Sequence, residues 1–229
     1  MKEKDAPVDL CREVLRRLDD AGVLRDIVLI GSWCAYFYKD YFLDRNYLST
    51  LRTRDVDFLI STPPKFRTQV DVAALLKDLG FIADIGSNGL VRLTHPELII
   101  DFLVPEKGRG GSEPYPIKAL GINAQPLRFV NLLLSETITI NSQGISLKLP
   151  HPVPYAFQKL IISHWRRNLQ KREKDRLQAV QVLRAVVDQG DNARIKMTFR
   201  ALPPKWRKAI LDSLKAEKAE DLSGLVISP

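Results

Sequence analysis

Apolar residues recur with two different spacings in the first part of the chain, and their order predicts alternating helices and strands. Residues 8–20 place apolar side chains at helical spacing and predict an amphipathic opening helix. The run IVLI at 27–30 is short and β-branched, which favours a buried strand that ends at Gly31. Residues 33–43 repeat aromatic side chains every four positions, as a helix does, and LRTRDVDFLIS at 51–61 returns to a strand pattern.

Further elements follow up to residue 150. A helix is predicted over 66–79, and LVRLTHPELIIDFLVP at 90–105 predicts two strands joined by a tight turn at 95–97. EKGRGGSEPYP at 106–116 is rich in glycine and proline and lacks the spacing of a phosphate-binding P-loop, so we interpret it as a connection only. ETITINSQGISLKLP at 136–150 predicts a further hairpin.

The pattern becomes helical in the last third of the chain. Residues 153–190 are helical in pattern for most of their length, with one apolar face through the second half, and 191–200 and 204–218 predict two shorter helices. Together these elements predict an α+β fold. A mixed β-sheet flanked by helices would occupy a domain at 1–150, and a helical C-terminal domain would occupy 151–229.

Composition places the chain among ordinary globular proteins. Of its 229 residues 45% are hydrophobic and 27% are charged. No apolar run approaches the roughly 18 residues of a membrane span, and the charged start does not resemble a signal peptide. The two cysteines, Cys11 and Cys34, show no C-x-x-C spacing, so neither a disulfide framework nor a zinc site is indicated. We therefore expect a cytoplasmic protein without a membrane partner.

Positive charge is concentrated near the C-terminus. The net charge is +8, and residues 159–220 contain 16 lysines and arginines against seven acidic residues. This asymmetry fits a polyanionic partner such as a nucleic acid or a nucleotide. A solvated helical face rich in lysine and arginine is the alternative explanation.

Three carboxylates stand in the predicted strands. Asp55 and Asp57 point to the same side of their strand, roughly 6 to 7 Å apart along it. Asp101 is the acidic residue within the later apolar run 99–104. If the two strands are neighbours, the three carboxylates would repel one another unless a cation compensates, and oxygen ligands favour Mg²⁺ or Mn²⁺. The alternatives are that Asp57 bonds a loop backbone and that Asp55 pairs with Arg52 or Arg54.

The Gly31-Ser32 pair ends one predicted strand and opens a helix. Backbone N–H groups and the positive end of the helix would face a ligand at this turn. Glycine permits a close approach of the backbone, and the hydroxyl of Ser32 can bond a phosphate oxygen. A strand, Gly-Ser, a helix and a strand with paired aspartates together predict a nucleoside triphosphate site.

The histidines and two of the tryptophans give weaker indications of a functional role. His95, His151 and His164 are scattered without metal-ligand spacing, which favours loop or surface roles. Trp165 and Trp206 lie beside basic residues in HWRR and KWRK, a combination that can bind nucleic acid. Helical packing explains the two tryptophans equally well.

The segment IGSWCAYFY…TRDVDFLI resembles the nucleotidyltransferase superfamily, whose fold is related to the palm of DNA polymerase beta. The resemblance covers residues 27–104, and the T-x-D-h-D form at 53–57 is similar to bacterial minor nucleotidyltransferases, including antitoxin-type members. The positions that match the motifs of the superfamily are Gly31 and Ser32, then Asp55 and Asp57, then Asp101.

Two features outside these motifs bear on the resemblance. Twenty-two residues separate Ser32 from Asp55, more than in many members, and the insertion falls in 38–54. KREKDRLQA resembles a lysine-aspartate element that several such families carry near the triphosphate, which indicates Lys174 and Asp175. Lys159 is the other candidate for the phosphates. Both lysines could equally be surface charges on an exposed helix.

The resemblance implies a metal-dependent enzyme that transfers a nucleoside monophosphate from ATP or another NTP to an acceptor hydroxyl and releases pyrophosphate. Asp55 and Asp57 would bind Mg²⁺ or Mn²⁺ and through it the triphosphate, and Asp101 would complete a second metal site. Gly31 and Ser32 would cradle phosphate. The acceptor stays open between an RNA end, an aminoglycoside and a protein, with RNA or protein binding through the basic C-terminal helices. The alternatives are an inactive or regulatory, antitoxin-like protein of the same fold and a nucleic-acid-binding protein.

Overall fold

A computed structural model describes residues 6–42, 47, 53–106, 108 and 113–228. The chain divides into two compact units, which we call the sheet unit and the helical unit. The sheet unit comprises residues 1–34 and 51–149, and the helical unit comprises residues 35–50 and 150–229. The division into domains at 1–150 and 151–229 stays a prediction.

The sheet unit carries nearly all of the strands and the N-terminal helices. In the described residues its helices are α1 (Ala6–Asp20), α3 (Val72–Leu76) and α4 (Asn131–Leu134), and α2 (Gly31–Phe37) begins in it. Its strands are β1 (Val28–Ile30), β2 (Asp55–Leu59), β3 (Ile82–Ile85), β4 (Val91–Thr94), β5 (Ile99–Pro105), β6 (Tyr115–Ile117), β7 (Ile122–Leu127), β8 (Thr137–Ser142) and β9 (Ile145–Pro150).

The main sheet is mixed, which confirms the α+β prediction. Its strand order is β1-β2-β5-β4-β3, with β7 beside the end of β5 and β6 beside β7. Strand β5 runs parallel to β2 and β7 and antiparallel to β4. Strands β8 and β9 form a separate two-stranded sheet. The parallel neighbours of β5 lie far from it in sequence, whereas its antiparallel neighbour β4 directly precedes it.

The centre of the main sheet has one apolar face and one polar face. Val56 and Phe58 of β2 and Ile100 and Phe102 of β5 are fully buried, while the positions between them include the aspartates. Phe58 and Phe102 are register partners, and their rings stack with centroids 5.6 Å apart. This alternation arises because successive side chains of a strand point to opposite sides. The aspartates therefore do not enter the core, although they stand in apolar strands.

The helical unit is built around one buried helix. In the described residues it contains α5 (Pro152–Trp165), α6 (Leu169–Asp188), α7 (Asn192–Ala201), α8 (Pro204–Ala216) and α9 (Glu220–Ile227). Helix α5 is apolar on nearly all sides and contacts α6, α7 and α8. The Tyr38 hydroxyl donates a 2.8 Å hydrogen bond to the carbonyl of Pro150, and its ring meets Tyr155 of α5 edge-on. These contacts explain why the segment from residue 35 belongs to this unit.

The structure confirms several predicted elements and corrects others. The opening helix, the first buried strand and both hairpins are present. The helix predicted over 66–79 begins only at Val72, because Asp71 is extended and its side chain accepts a hydrogen bond from the backbone of Ala74 as an N-cap. The helix predicted over 33–43 ends at Phe37 and continues as a short 3₁₀ turn.

The helical pattern over 153–190 contains a break that the apolar periodicity does not indicate. Arg166 is extended after the end of α5, and the side chain of Asn168 accepts a hydrogen bond from the backbone of Lys171 to begin α6. Strands β3, β6 and β7 and helix α9 were not predicted. Within the part of the chain that the structure describes, no helix is long and apolar enough to cross a bilayer.

Replacing Phe102 by alanine tests the stacked pair on the buried face. We expect Phe102→Ala to lower the free energy of unfolding by about 3–5 kcal/mol, because it removes a ring from a packed core. Ile85→Ala is the control, since Ile85 lies exposed on the edge strand β3. Urea denaturation followed by circular dichroism measures both variants, and equal losses would contradict the assignment of the core.

Candidate active site

Four charged side chains lie in one row across the polar face of the sheet. Asp57 of β2 is the register partner of Asp101 of β5, Asp101 is the partner of Arg92 of β4, and Arg92 is the partner of Asp84 of β3. Directly opposed residues of neighbouring strands point to the same face. We call these four residues the charged row. The strands of Asp57 and Asp101 are therefore neighbours, which meets the condition under which the carboxylates would lie close together.

Asp55 lies on the same face as the charged row, two residues before Asp57. It is exposed, and its carboxylate accepts a long 3.4 Å hydrogen bond from the hydroxyl of Thr53. The guanidinium of Arg54 donates a 2.9 Å hydrogen bond to the carbonyl of His95. Arg52, the other partner considered for Asp55, lies outside the described residues. The carboxylate of Asp55 therefore faces solvent beside Asp57.

Gly31 makes room for the carboxylate of Asp57. Ile30 at the end of β1 is the register partner of Asp57, so the first residue of α2 lies next to that carboxylate. A β-carbon on Gly31 would overlap Oδ2 of Asp57, and the backbone of Gly31 has a φ of 73°. Both the space and the left-handed conformation require glycine. Ser32 follows in the first turn of α2 and is half-buried.

Asp101 is bound by Arg92 in a bidentate ion pair. Arg92 Nε lies 2.7 Å from Asp101 Oδ1, and Arg92 Nη2 lies 3.0 Å from Asp101 Oδ2. The side chain of Asp101 is 13% exposed and that of Arg92 is 43% exposed. The hydrogen bonds to Asp101 raise the pKa of Arg92, partial burial opposes this, and the charges of Asp101, Asp55 and Asp84 add to the rise. The structure thus supplies a compensating charge for Asp101 within the protein.

Carboxylates on β2 suit a hard divalent cation. Asp55 and Asp57 offer carboxylate oxygens from one face of one strand, and Mg²⁺ is commonly held by one or two carboxylates together with substrate phosphates. Among the described residues, no three acidic, histidine or cysteine side chains are already arranged around a cation-sized position. Mg²⁺ or Mn²⁺ as cofactor, with Asp55, Asp57 and Asp101 as ligands, stays a prediction.

Asp175, the aspartate of the predicted lysine-aspartate element, forms a buried ion pair with Lys159 rather than with Lys174. Lys159 Nζ of α5 lies 2.7 Å from Asp175 Oδ1 of α6, and the two side chains are only 8% and 5% exposed. Arg166 Nε lies 2.6 Å from the other oxygen of Asp175. Lys174 is half-buried and precedes Asp175 in α6. Asp175 therefore joins α5 to α6, and phosphate binding by Lys159 and Lys174 stays a prediction.

Sequence reasoning missed Arg92. The strand LVRLT alternates apolar and polar positions, so it places Arg92 on the polar face, and the hairpin at 90–105 brings that strand beside Asp101. Counting outward from the predicted turn at 95–97 pairs Arg92 with Ile100, whereas the observed loop at 95–98 pairs it with Asp101. The length of the turn therefore decides which residue Arg92 meets.

A family model described as nucleotidyltransferase matches residues 10–203, which is most of the chain. No curated protein matches the sequence. Among solved structures, an antigenic nucleotidyltransferase-like protein from Paracoccidioides brasiliensis has a TM-score of 0.48 at 14% identity, covering 99% of this chain and 94% of that one.

Two structures of the antibiotic-resistance factor ANT(2'')-Ia are also similar. The solution structure has a TM-score of 0.36 at 11% identity and covers 96% of this chain and 88% of that one. The crystal structure in complex with adenylyl-2''-tobramycin has a TM-score of 0.39 at 9% identity and covers 96% of this chain and 94% of that one.

Gly31→Ala tests the contact between α2 and Asp57. We expect the free energy of unfolding to fall by about 1–3 kcal/mol from backbone strain, and we expect magnesium-dependent NTP binding to be lost because the new methyl group displaces the carboxylate. Urea denaturation and isothermal titration with MgATP measure the two effects.

Gly144→Ala is the matched control for this substitution. Gly144 has a φ of 87° with open space around it, so alanine there brings the backbone strain without the overlap. If both variants changed NTP binding equally, the contact between Gly31 and Asp57 would not be what positions the carboxylate.

Asp175→Asn tests the buried ion pair. The substitution leaves the ammonium of Lys159 buried beside a neutral partner, and we expect a loss of about 3–5 kcal/mol in the free energy of unfolding. Asp221→Asn removes an acidic partner of Arg184 from an exposed pair and should cost about 1 kcal/mol or less. Urea denaturation measures the free energy of unfolding of both variants. Similar losses would show that burial does not increase the contribution of the Asp175 ion pair to stability.

Proposed function

The chain belongs to the nucleotidyltransferase family, and we propose that it transfers a nucleoside monophosphate from an NTP to an acceptor hydroxyl. The observation that supports this most directly is the position of Asp57. Its carboxylate lies against Gly31 at the start of α2, with Asp55 beside it on the polar face of β2. A pair of carboxylates next to a helix start is suited to a cation and a phosphate together.

The proposed reaction is an in-line displacement at phosphorus. The acceptor hydroxyl oxygen forms a bond to the α-phosphorus, the bond from that phosphorus to the bridging oxygen breaks, and pyrophosphate leaves with the electron pair. Asp55 and Asp57 would hold Mg²⁺ or Mn²⁺, which supplies positive charge to the triphosphate. Asp101 would complete the ligand set and help activate the acceptor hydroxyl by receiving its proton.

Four residues are proposed to contact phosphate. Gly31 and Ser32 would offer backbone N–H groups and a hydroxyl to the phosphates. The ammonium of Lys159 is engaged by the buried Asp175, so a contact with phosphate would require it to leave that carboxylate. Lys174, which is half-buried in α6, is the other residue that we propose for the phosphates.

The substrates are proposed by class. ATP or another NTP is the donor, and the acceptor is a hydroxyl of an RNA end, an aminoglycoside or a protein. The 16 lysines and arginines between 159 and 220 favour an anionic acceptor such as RNA. We propose a cytoplasmic setting for the reaction, in which the two buried cysteines, Cys11 and Cys34, would stay reduced.

A second candidate function is nucleic-acid binding by the helical unit. Trp165 is exposed, and the Lys205 ammonium lies 5.6 Å from the centroid of its ring. An exposed aromatic ring with neighbouring cations can stack on a base and contact phosphate. Such binding would weaken steeply with salt and would survive loss of the aspartates. A regulatory, antitoxin-like member of the family would instead copurify with a stable protein partner and transfer no label.

The proposed reaction is tested with each α-labelled NTP, Mg²⁺ and cell extract. We expect label to appear in an acceptor. Removing partners of metal ligands already costs 10–100-fold, so we expect Asp55→Asn and Asp57→Asn to lower the rate by at least about 100-fold. Isothermal titration with MgNTP checks that the same variants lose metal-dependent binding.

The control for this experiment is Glu97→Gln, which removes one carboxylate from the exposed hairpin turn between β4 and β5. It should leave transfer and binding unchanged. Transfer that is indifferent to Asp55→Asn and Asp57→Asn, or absent with every NTP, would contradict the proposed function.

A further inference from the structure

Arg92 forms hydrogen bonds to both carboxylate oxygens of Asp101, which a single surface ammonium group would not do. Two nitrogens of one guanidinium meet the two oxygens of the carboxylate at 2.7 and 3.0 Å. A bidentate pair of this kind fixes the orientation of the carboxylate as well as its charge. Each oxygen of Asp101 therefore already has a charged donor.

Asp101 lies between an acidic neighbour that destabilises its negative charge and a basic neighbour that stabilises it. Asp57 is its register partner on the adjacent strand β2, whose backbone lies about 5 Å away, and carboxylates on the same face of neighbouring strands repel each other. Arg92 lies on the other side, on β4, and compensates the charge of Asp101. Without Arg92, Asp101 would have to share a cation with Asp57 and Asp55.

A second carboxylate lies on the strand that flanks Arg92 on its other side. Asp84 on the edge strand β3 is the register partner of Arg92 on the side away from Asp101, and it is exposed. The side chain of Arg92 is 43% exposed, so its guanidinium can move without opening the core. Asp84 therefore offers an alternative partner if Arg92 leaves Asp101.

We propose that Arg92 is a positioning residue that withholds Asp101 from the metal site. A divalent cation binds at Asp55 and Asp57, and Asp101 becomes a ligand only when the guanidinium of Arg92 moves away, toward Asp84. This inference rests on the proposed function, because it assigns the cation to Asp55 and Asp57. It adds that the protein itself controls when the third carboxylate joins them.

Mn²⁺ binding followed by electron paramagnetic resonance tests the inference without any turnover. We expect the wild type to bind one Mn²⁺ per chain. Arg92→Gln should gain a second Mn²⁺ or bind the first roughly tenfold more tightly, since it frees a carboxylate and removes a positive charge beside the site. The gain should disappear in the double variant Arg92→Gln/Asp101→Asn. Arg92→Lys keeps the charge but cannot span both oxygens, and it should show a smaller gain.

Arg54→Gln is the matched control, because it removes an equal charge from the residue next to Asp55 without releasing Asp101. Its gain should be smaller than that of Arg92→Gln. The inference is overturned if the two gains are equal, if the wild type already binds two Mn²⁺, or if Arg92→Gln binds Mn²⁺ more weakly. Weaker binding would mean that Arg92 orients Asp101 toward the cation. Circular dichroism checks folding, and Arg92→Lys decides the question if the glutamine variant does not fold.

The two proposals fail in different ways. A wild type that binds no Mn²⁺, or whose binding survives Asp55→Asn and Asp57→Asn, contradicts the metal site of the proposed function. The role of Arg92 is then decided separately. A binding site that appears in Arg92→Gln and depends on Asp101 supports it, and the absence of such a site overturns it.

Discussion

The parallel pairing of β2 with β5 is the interaction on which the rest of the sheet unit depends. One register sets both faces of the sheet, since it stacks Phe58 on Phe102 in the core and sets Asp57 beside Asp101 on the polar face. A slip of one residue would turn the rings outward and the carboxylates inward, where unpaired charges cost several kcal/mol. The aromatic pair therefore fixes the geometry of the carboxylates from the opposite side of the sheet.

This register brings the carboxylates of Asp57 and Asp101 close together, and two other residues accommodate them. Gly31 leaves space for the carboxylate of Asp57, where any other residue would overlap it and strain the backbone. Arg92 takes both oxygens of Asp101. A cation that enters this site therefore meets the two carboxylates of β2 and a third carboxylate, that of Asp101, whose oxygens are both bound by Arg92.

Much of the candidate site could be predicted from local patterns. The alternation of DVDFL and IIDFL puts the aspartates on one face, and a buried strand followed by Gly-Ser marks the start of α2. Arg92 could not be placed because the hairpin loop is one residue longer than the predicted turn. The loop is 95–98, closed by a hydrogen bond from His95 N to Leu98 O, and that single residue decides whether Arg92 faces Asp101 or the core.

The missed strands have a different cause. Strand β3 has the sequence IADI and is exposed at every position, so no burial pattern distinguishes it from a loop, and hydrogen bonding to β4 alone defines it. The partner of Lys159 was equally hidden, because Asp175 lies 16 positions away on another helix. Helical periodicity describes which face of one helix is apolar, but the pairing of two charges across helices depends on how the helices pack.

The ion-paired carboxylates of Asp175 and Asp101 differ in burial, and this difference indicates different roles for the two pairs. Asp175 and Lys159 are 5% and 8% exposed, so exchanging either partner would leave a charge in the core at a cost of about 3–5 kcal/mol. Asp101 and Arg92 are 13% and 43% exposed. Water can replace the guanidinium as it moves, and the energy of a partly exposed pair is small enough for a divalent cation to compete with it. The Asp101 pair is therefore suited to exchange partners, whereas the Asp175 pair is suited to hold two helices together.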